Sequence, residues 1–193
     1  MPNVAHANLT GANLHEPKGI ATATASKVYV SNGSGSGTWQ YPGGQAYGEL
    51  YIVGGTTAFT LAAASAYTRL DPGTDWQANG VNLATLDATD GEIIITVPGV
   101  YRMEFWCNFT TAAIASGTKY NFKYATNGVT SSRTITVQKI TNSTDSLHIA
   151  ASGISTFAAN DVLSIYAGGD ATSSGTNITV TQAGFSIVLL KNQ

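Results

Sequence analysis

The run at residues 91–109, GEIIITVPGVYRMEFWCNF, limits what this chain can fold into more than any other. Ile93, Ile95 and Val97 fall on one face of an extended backbone, with Glu92, Ile94 and Thr96 on the other. Pro98-Gly99 then supplies two residues suited to a tight turn. Beyond it Tyr101, Met103, Phe105, Cys107 and Phe109 alternate with Arg102, Glu104, Trp106 and Asn108. Alternation with period two predicts a strand with one face buried. β-branched and aromatic residues dominate, and no apolar stripe recurs at spacings of three and four, so the run does not read as a helix.

From residue 46 onward short strand patterns are separated by turn signals. They fall at 49–53, 58–61, 68–70, 85–87, 92–97, 100–109, 119–126, 134–140, 147–151, 162–167, 177–181 and 185–190. Asn127-Gly128 is a hairpin signal. Regular spacing of this kind predicts an all-β antiparallel sandwich or barrel. The expected core includes Tyr101, Met103, Phe105, Phe122, Ile165, Phe185 and Ile187. In GFSIVLL (184–190), Phe185, Ile187 and Leu189 point one way while Val188 and Leu190 point the other. A strand apolar on both faces needs cover on both. One cover is the domain's own core, and the other is expected to be a neighbouring subunit. A flanking loop of the same chain is the alternative.

Only 10% of the 193 residues are charged, with a net charge of −2. A soluble domain usually carries about 25%. Either other copies cover much of the surface, or Thr and Ser coat it. No basic patch suggests nucleic acid. No apolar run is long enough to span a bilayer, and no signal-peptide pattern opens the chain. The expected site of synthesis is therefore a cytoplasm. Cys107, the single cysteine, points inward and reads as a small core hydrophobe.

Residues 1–44 differ in character. ANLTG and ANLHE are two pentapeptide units, too few for a solenoid. An extended arm is expected, with Val4, Leu9, Leu14 and Ile20 as apolar pegs and His6 and His15 between them. Two histidines make a poor zinc set. KVYV (27–30) predicts one short strand, and SNGSGSGTWQYPGG (31–44) a Gly/Ser-rich joint. The domain boundary is placed at residue 45.

No enzyme is expected. Asp87, Asp90 and Glu92 cluster in DATDGE, and Asp71 and Asp75 in DPGTD, but turn aspartates are common for local hydrogen-bonding reasons. His148 has no Ser or Cys motif beside it to form a triad. No cofactor and no metal site is expected.

Four phrases carry a resemblance. They are VPGVY (97–101) leading into YRMEF, the strand and turn YNFKYATNG, NDVLSIYAGGD (160–170) and the closing GFSIVLL. Together, in this order over residues 46–193, they resemble the tumour-necrosis-factor-like superfamily, in particular the globular head of complement first-component q. The glycine usual before the Asp of the third phrase is Asn160 here. The resemblance implies a ten-strand jelly roll that forms a tight homotrimer. The expected subunit contact draws on Trp106, Phe185, Val188 and Leu190. The arm phrase HANLTGANLHEPKGIATA is similar to the start of many small tailed-bacteriophage structural proteins. That similarity implies a virion protein at the capsid surface: a decoration or cement protein anchored on the major capsid protein through Val4, His6, Leu9, Leu14, His15 and Ile20. The alternative is a head or tail fibre tip that binds a host cell-surface glycan or protein.

Overall fold

The alternating run becomes a thirteen-residue strand, β9 (Gly99–Thr111), with neighbours paired along both edges. The structure is a computed structural model, and it describes residues 27–31, 37–40, 45–62, 66–71, 75–112, 115–170, 173 and 176–192. The chain divides into two compact units, Met1–Gly44 and Gln45–Gln193.

In the first unit β1 (Val28–Ser31) and β2 (Gly37–Gln40) pair antiparallel, with Tyr29 opposite Trp39. Their rings meet edge-on at 5.4 Å. The sequence predicts one strand, at 27–30, and a Gly/Ser-rich joint whose second half packs through Trp39 and Tyr41; the second strand is new. A cross-strand aromatic pair, worth a few tenths to about 1 kcal/mol, supplies local stabilisation to this Gly/Ser-rich stretch.

The second unit, the head, is a sandwich of two antiparallel sheets. One runs β13 (Ser146–Phe157), β9, β15 (Asn177–Asn192), β3 (Tyr47–Val53), β6 (Gln77–Asn82), with β4 (Ala58–Thr60) on β15. The other runs β11 (Val129–Thr130), β10 (Lys119–Thr126), β14 (Val162–Gly169), β8 (Glu92–Ile95), β7 (Ala84–Asp87), with β12 (Ile135–Gln138) on β10 and β5 (Tyr67–Arg69) on β14. Pro98-Gly99 does not close a hairpin. It passes the chain from β8 in one sheet to β9 in the other. Gly99 is required there, because a Cβ would run into the backbone carbonyl of Lys191.

Inward side chains of β9, β10 and β15 form the core. Phe105 and Phe109 lie 5.8 and 5.5 Å from Phe122, and Tyr124 lies 6.2 Å from Phe185. All seven residues expected in the core are buried. Asn127 (φ 51°) and Gly128 (φ 77°) make the hairpin between β10 and β11, both left-handed as a type I′ turn demands. Asn160 also takes a left-handed φ of 72°. Asn is among the few residues with a side chain that tolerate it, which accounts for its standing where the resembling family has glycine.

Three elements differ from expectation. β6, QANGVN, has no alternating apolar pattern because it is an exposed edge strand; its pairing with β3 creates it. The segments 177–181 and 185–190 are one strand, β15. It runs unbroken through Gln182-Ala183-Gly184 because β9 pairs with it on both sides of a bulge. Lys139, expected within a strand, is fully buried. Its Nζ donates to Thr111 Oγ1 (3.0 Å) and to the Ser143 carbonyl, and lies 3.2 Å from Asp145 Oδ2. This cluster ties the 139–145 loop to the end of β9.

Candidate functional site

The ladder register lines up side chains in rows across the outer face of the six-stranded sheet. One row runs Ala150, Trp106, Gly184, Tyr51 and Gln77. The Trp106 indole lies over Gly184, where any Cβ would collide with Nε1. Tyr51 donates its hydroxyl to Gln77 Oε1 at 2.9 Å. The next row runs Ser152, Glu104, Ser186 and Glu49, and Asn79 Nδ2 donates to Glu49 Oε2 at 2.7 Å. A third row holds Ile154, Arg102, Val188 and Tyr47. A fourth holds His148, Asn108, Gln182 and Val53. His148 Nδ1 is 2.7 Å from Asn108 Oδ1, and Asn108 Nδ2 donates to Gln182 Oε1 at 3.0 Å. Arg102 Nε and Glu104 Oε1 form an ion pair at 3.3 Å.

Several polar side chains on this face therefore partner one another, Tyr51, Asn79, His148 and Asn108 across strands and Arg102 with Glu104 along β9, while apolar side chains among them stand in solvent. Tyr47 is 43% exposed, Val53 63%, Trp106 38% and Ile154 61%. Shallow hollows flank Trp106, one beside Tyr51, Val53 and Asn79, the other beside Ala150, Ser152 and Glu104. Trp and Tyr are residues that anchor protein interfaces.

Of the residues expected at a subunit contact, Trp106 and Val188 lie on this face. Leu190 is the extra residue of a second bulge in β15 and is half exposed. Phe185 is a correction. It points inward against Tyr124 and has no exposed surface, because it sits one residue out of phase with Val188 on a period-two strand. Val4, His6, Leu9, Leu14, His15 and Ile20 lie outside the described residues. Tyr47, Tyr51 and Val53 share this face with Trp106 and Val188, as alternation along β3 sets them opposite Leu50 and Ile52.

The acidic clusters have local tasks. Asp87 Oδ1 accepts from the Thr89 and Asp90 amides, and Asp75 Oδ2 from the Thr56 and Thr57 amides. Asp90 and Glu92 accept from the Arg69 guanidinium at 2.7 and 2.6 Å. Among the described residues no three His, Cys, Asp or Glu side chains gather as a metal set. Burial pushes the Cys107 thiol far above its ordinary range, which removes it as a nucleophile. Burial also pushes the Tyr101 phenol up to about 12, and its hydroxyl donates to the Val97 carbonyl at 2.6 Å. Trp76, a loop aromatic in the sequence, is buried and donates Nε1 to the Leu70 carbonyl at 3.0 Å. No helix among the described residues is long and apolar enough to cross a membrane.

No protein-family model matches the chain, and no curated protein matches it. Solved structures do. Eiger, a tumour necrosis factor from S. frugiperda, superposes with a TM-score of 0.53 at 10% identity, over 77% of this chain and 95% of that one. The head has the tumour-necrosis-factor jelly-roll fold. The globular domain of zebrafish complement 1qA follows with a TM-score of 0.49 at 14% identity, over 77% and 99%. Murine APRIL follows with 0.48 at 10%, over 75% and 99%. At such identities the likeness is one of fold. In the jelly roll, the rows around Trp106 lie on the sheet that carries both the first strand of the head, β3, and its last, β15.

Proposed function

We propose that this chain is a non-enzymatic structural or binding protein whose jelly-roll head assembles as a homotrimer through the outer face of the six-stranded sheet. The observation that supports this most is the set of exposed side chains Tyr47, Val53, Trp106 and Ile154 on that face, with half-buried Tyr51 beside them. A closed symmetric assembly covers such a face at every copy at once. Light scattering on the full chain tests it. Three times the protomer mass is expected at micromolar concentration, and a monomer at all concentrations overturns it.

In its finer form the proposal makes the protein a decoration or cement protein on a phage shell. It is held on the major capsid protein by residues 1–25, with the head outermost. The support here is the arm sequence, in which two ANL units set Leu9 and Leu14 five residues apart, ~16–18 Å on an extended chain. That separation suits two neighbouring pockets, and three arms per trimer multiply weak contacts. Deleting residues 2–20 should leave the oligomer intact and abolish co-sedimentation with undecorated shells. Undiminished co-sedimentation would move the attachment surface to the head.

A further inference from the structure

At one end of the sandwich, a cleft of about 340 Å³ opens between β13 and the β10–β12 segment. Small-molecule sites begin near 300 Å³. Buried Met103 and Phe157 line it together with half-buried Ile135. Its existence traces to β13. On the inward side that strand presents Ala151, Gly153 and Ser155, while β9 and β10 present Met103 and Tyr124. A Cβ on Gly153 would meet only Met103 Cε at 3.8 Å and Tyr124 Cε2 at 4.0 Å, so the space is real and unfilled.

The walls cannot close over it. β13 is held to β9 by an unbroken register from Ser146↔Thr110 to Phe157↔Gly99. Tyr124 donates its hydroxyl to the Ala151 carbonyl at 3.0 Å and so braces one sheet against the other. The 131–133 segment is pinned as well, with the Ser131 amide on the Tyr124 carbonyl at 2.8 Å and Ser131 Oγ on the Arg133 carbonyl at 3.1 Å. The rim is chemically asymmetric. Val129 and Ile154 are exposed, Ser131 and Ser132 offer hydroxyls, and Arg133 is the single charged residue of the lining. Arg133 has no ion pair among the described residues, whereas Arg69 pairs with three carboxylates and Arg102 with one.

We propose that this cleft binds a small amphipathic anion: an apolar ring or short chain seated on Met103 and Phe157, with a carboxylate or sulfonate on Arg133. The guanidinium fork matches such a group bidentately, and no carboxylate in the lining repels it.

The test uses the full chain and two probes, 8-anilinonaphthalene-1-sulfonate and its uncharged counterpart N-phenyl-1-naphthylamine. Saturable binding of both is expected, one per protomer. Arg133→Gln should weaken the sulfonate by about tenfold, as loss of a charge-assisted contact does, and leave the neutral probe within about twofold. Gly153→Val, whose side chain enters the cleft, should abolish both. If that variant fails to fold, Ser155→Leu fills the mouth from the same strand. Unsaturable binding overturns the proposal. So does equal weakening of both probes by Arg133→Gln, or binding seen only once the oligomer is dissociated, which would make a second copy the occupant. Light scattering on the same samples keeps the result separate from the state of assembly.

Discussion

The sandwich has two outer faces, and they are finished differently. On the seven-stranded sheet Arg69 is held by Glu92 and Asp90, with Asp71 at 3.6 Å. Lys123 Nζ stands 4.4 Å over the Tyr67 ring, and Thr136 donates to Asn121 at 2.7 Å. Arg69 and Lys123 there find opposite charges or an aromatic face within the protomer. On the six-stranded sheet Trp106, Tyr47, Val53 and Ile154 remain in water. The fold does not require them. A two-layer sandwich needs only its inner faces to be apolar, so exposed apolar side chains on an outer face fit a use outside the protomer.

The strongest way to break this comparison is to place a charge on each face in turn. Trp106→Asp is expected to reduce the assembly to protomers, while Lys123→Asp leaves its mass unchanged in light scattering. If both variants behave alike, the two faces are equivalent and the distinction fails. The next test asks whether the six-stranded sheet really has two independent sides. Phe105, one residue from Trp106 and facing inward, should cost ~3–5 kcal/mol as Phe105→Ala, through lost burial and a cavity. Denaturant unfolding measures this, and a loss below about 1 kcal/mol would place Phe105 on the wrong face.

A third test separates the faces from the edge that joins them. The Thr141 hydroxyl and then Lys139 hold the Asp145 carboxyl below its ordinary 3.8, against the opposing effect of burial. A depressed acid stabilises the fold above the unfolded value and ceases to do so as pH falls through the folded one. Stability should therefore drop as pH falls below 3.8, and Thr141→Val should flatten the drop. Assembly through Trp106 should show no step tied to Asp145. The smallest expected effect is Arg69→Gln. Its side chain is 29% exposed, so losing the ion pairs should cost only about 1 kcal/mol and change no mass.

Some of this was legible in the chain. Period-two alternation in residues 100–109 placed Tyr101, Met103, Phe105, Cys107 and Phe109 inside and Trp106 outside, because a strand's side-chain period leaves no other choice. The Asn127-Gly128 turn was equally plain, since few dipeptides accept two left-handed residues. Phe185 as a contact residue went against that same alternation, which had already put it with Ile187. β6 could not be read, because an edge strand with exposed side chains has no pattern of its own. Its hydrogen bonds come from β3.

The sequence by itself determined that the head is an all-β antiparallel sandwich or barrel, where its strongest strand lies and which side of that strand is buried. These follow from local alternation and turn chemistry, which act between near neighbours. Only the tertiary structure decided which strands sit side by side, that Pro98-Gly99 crosses between sheets, that Lys139 is buried against Asp145, and that Trp106 lies over Gly184 seventy-eight residues on. The cleft beside Gly153 belongs to the same class. A missing side chain makes a cavity only when distant strands hold their walls apart, and no short stretch of sequence records where those walls will stand.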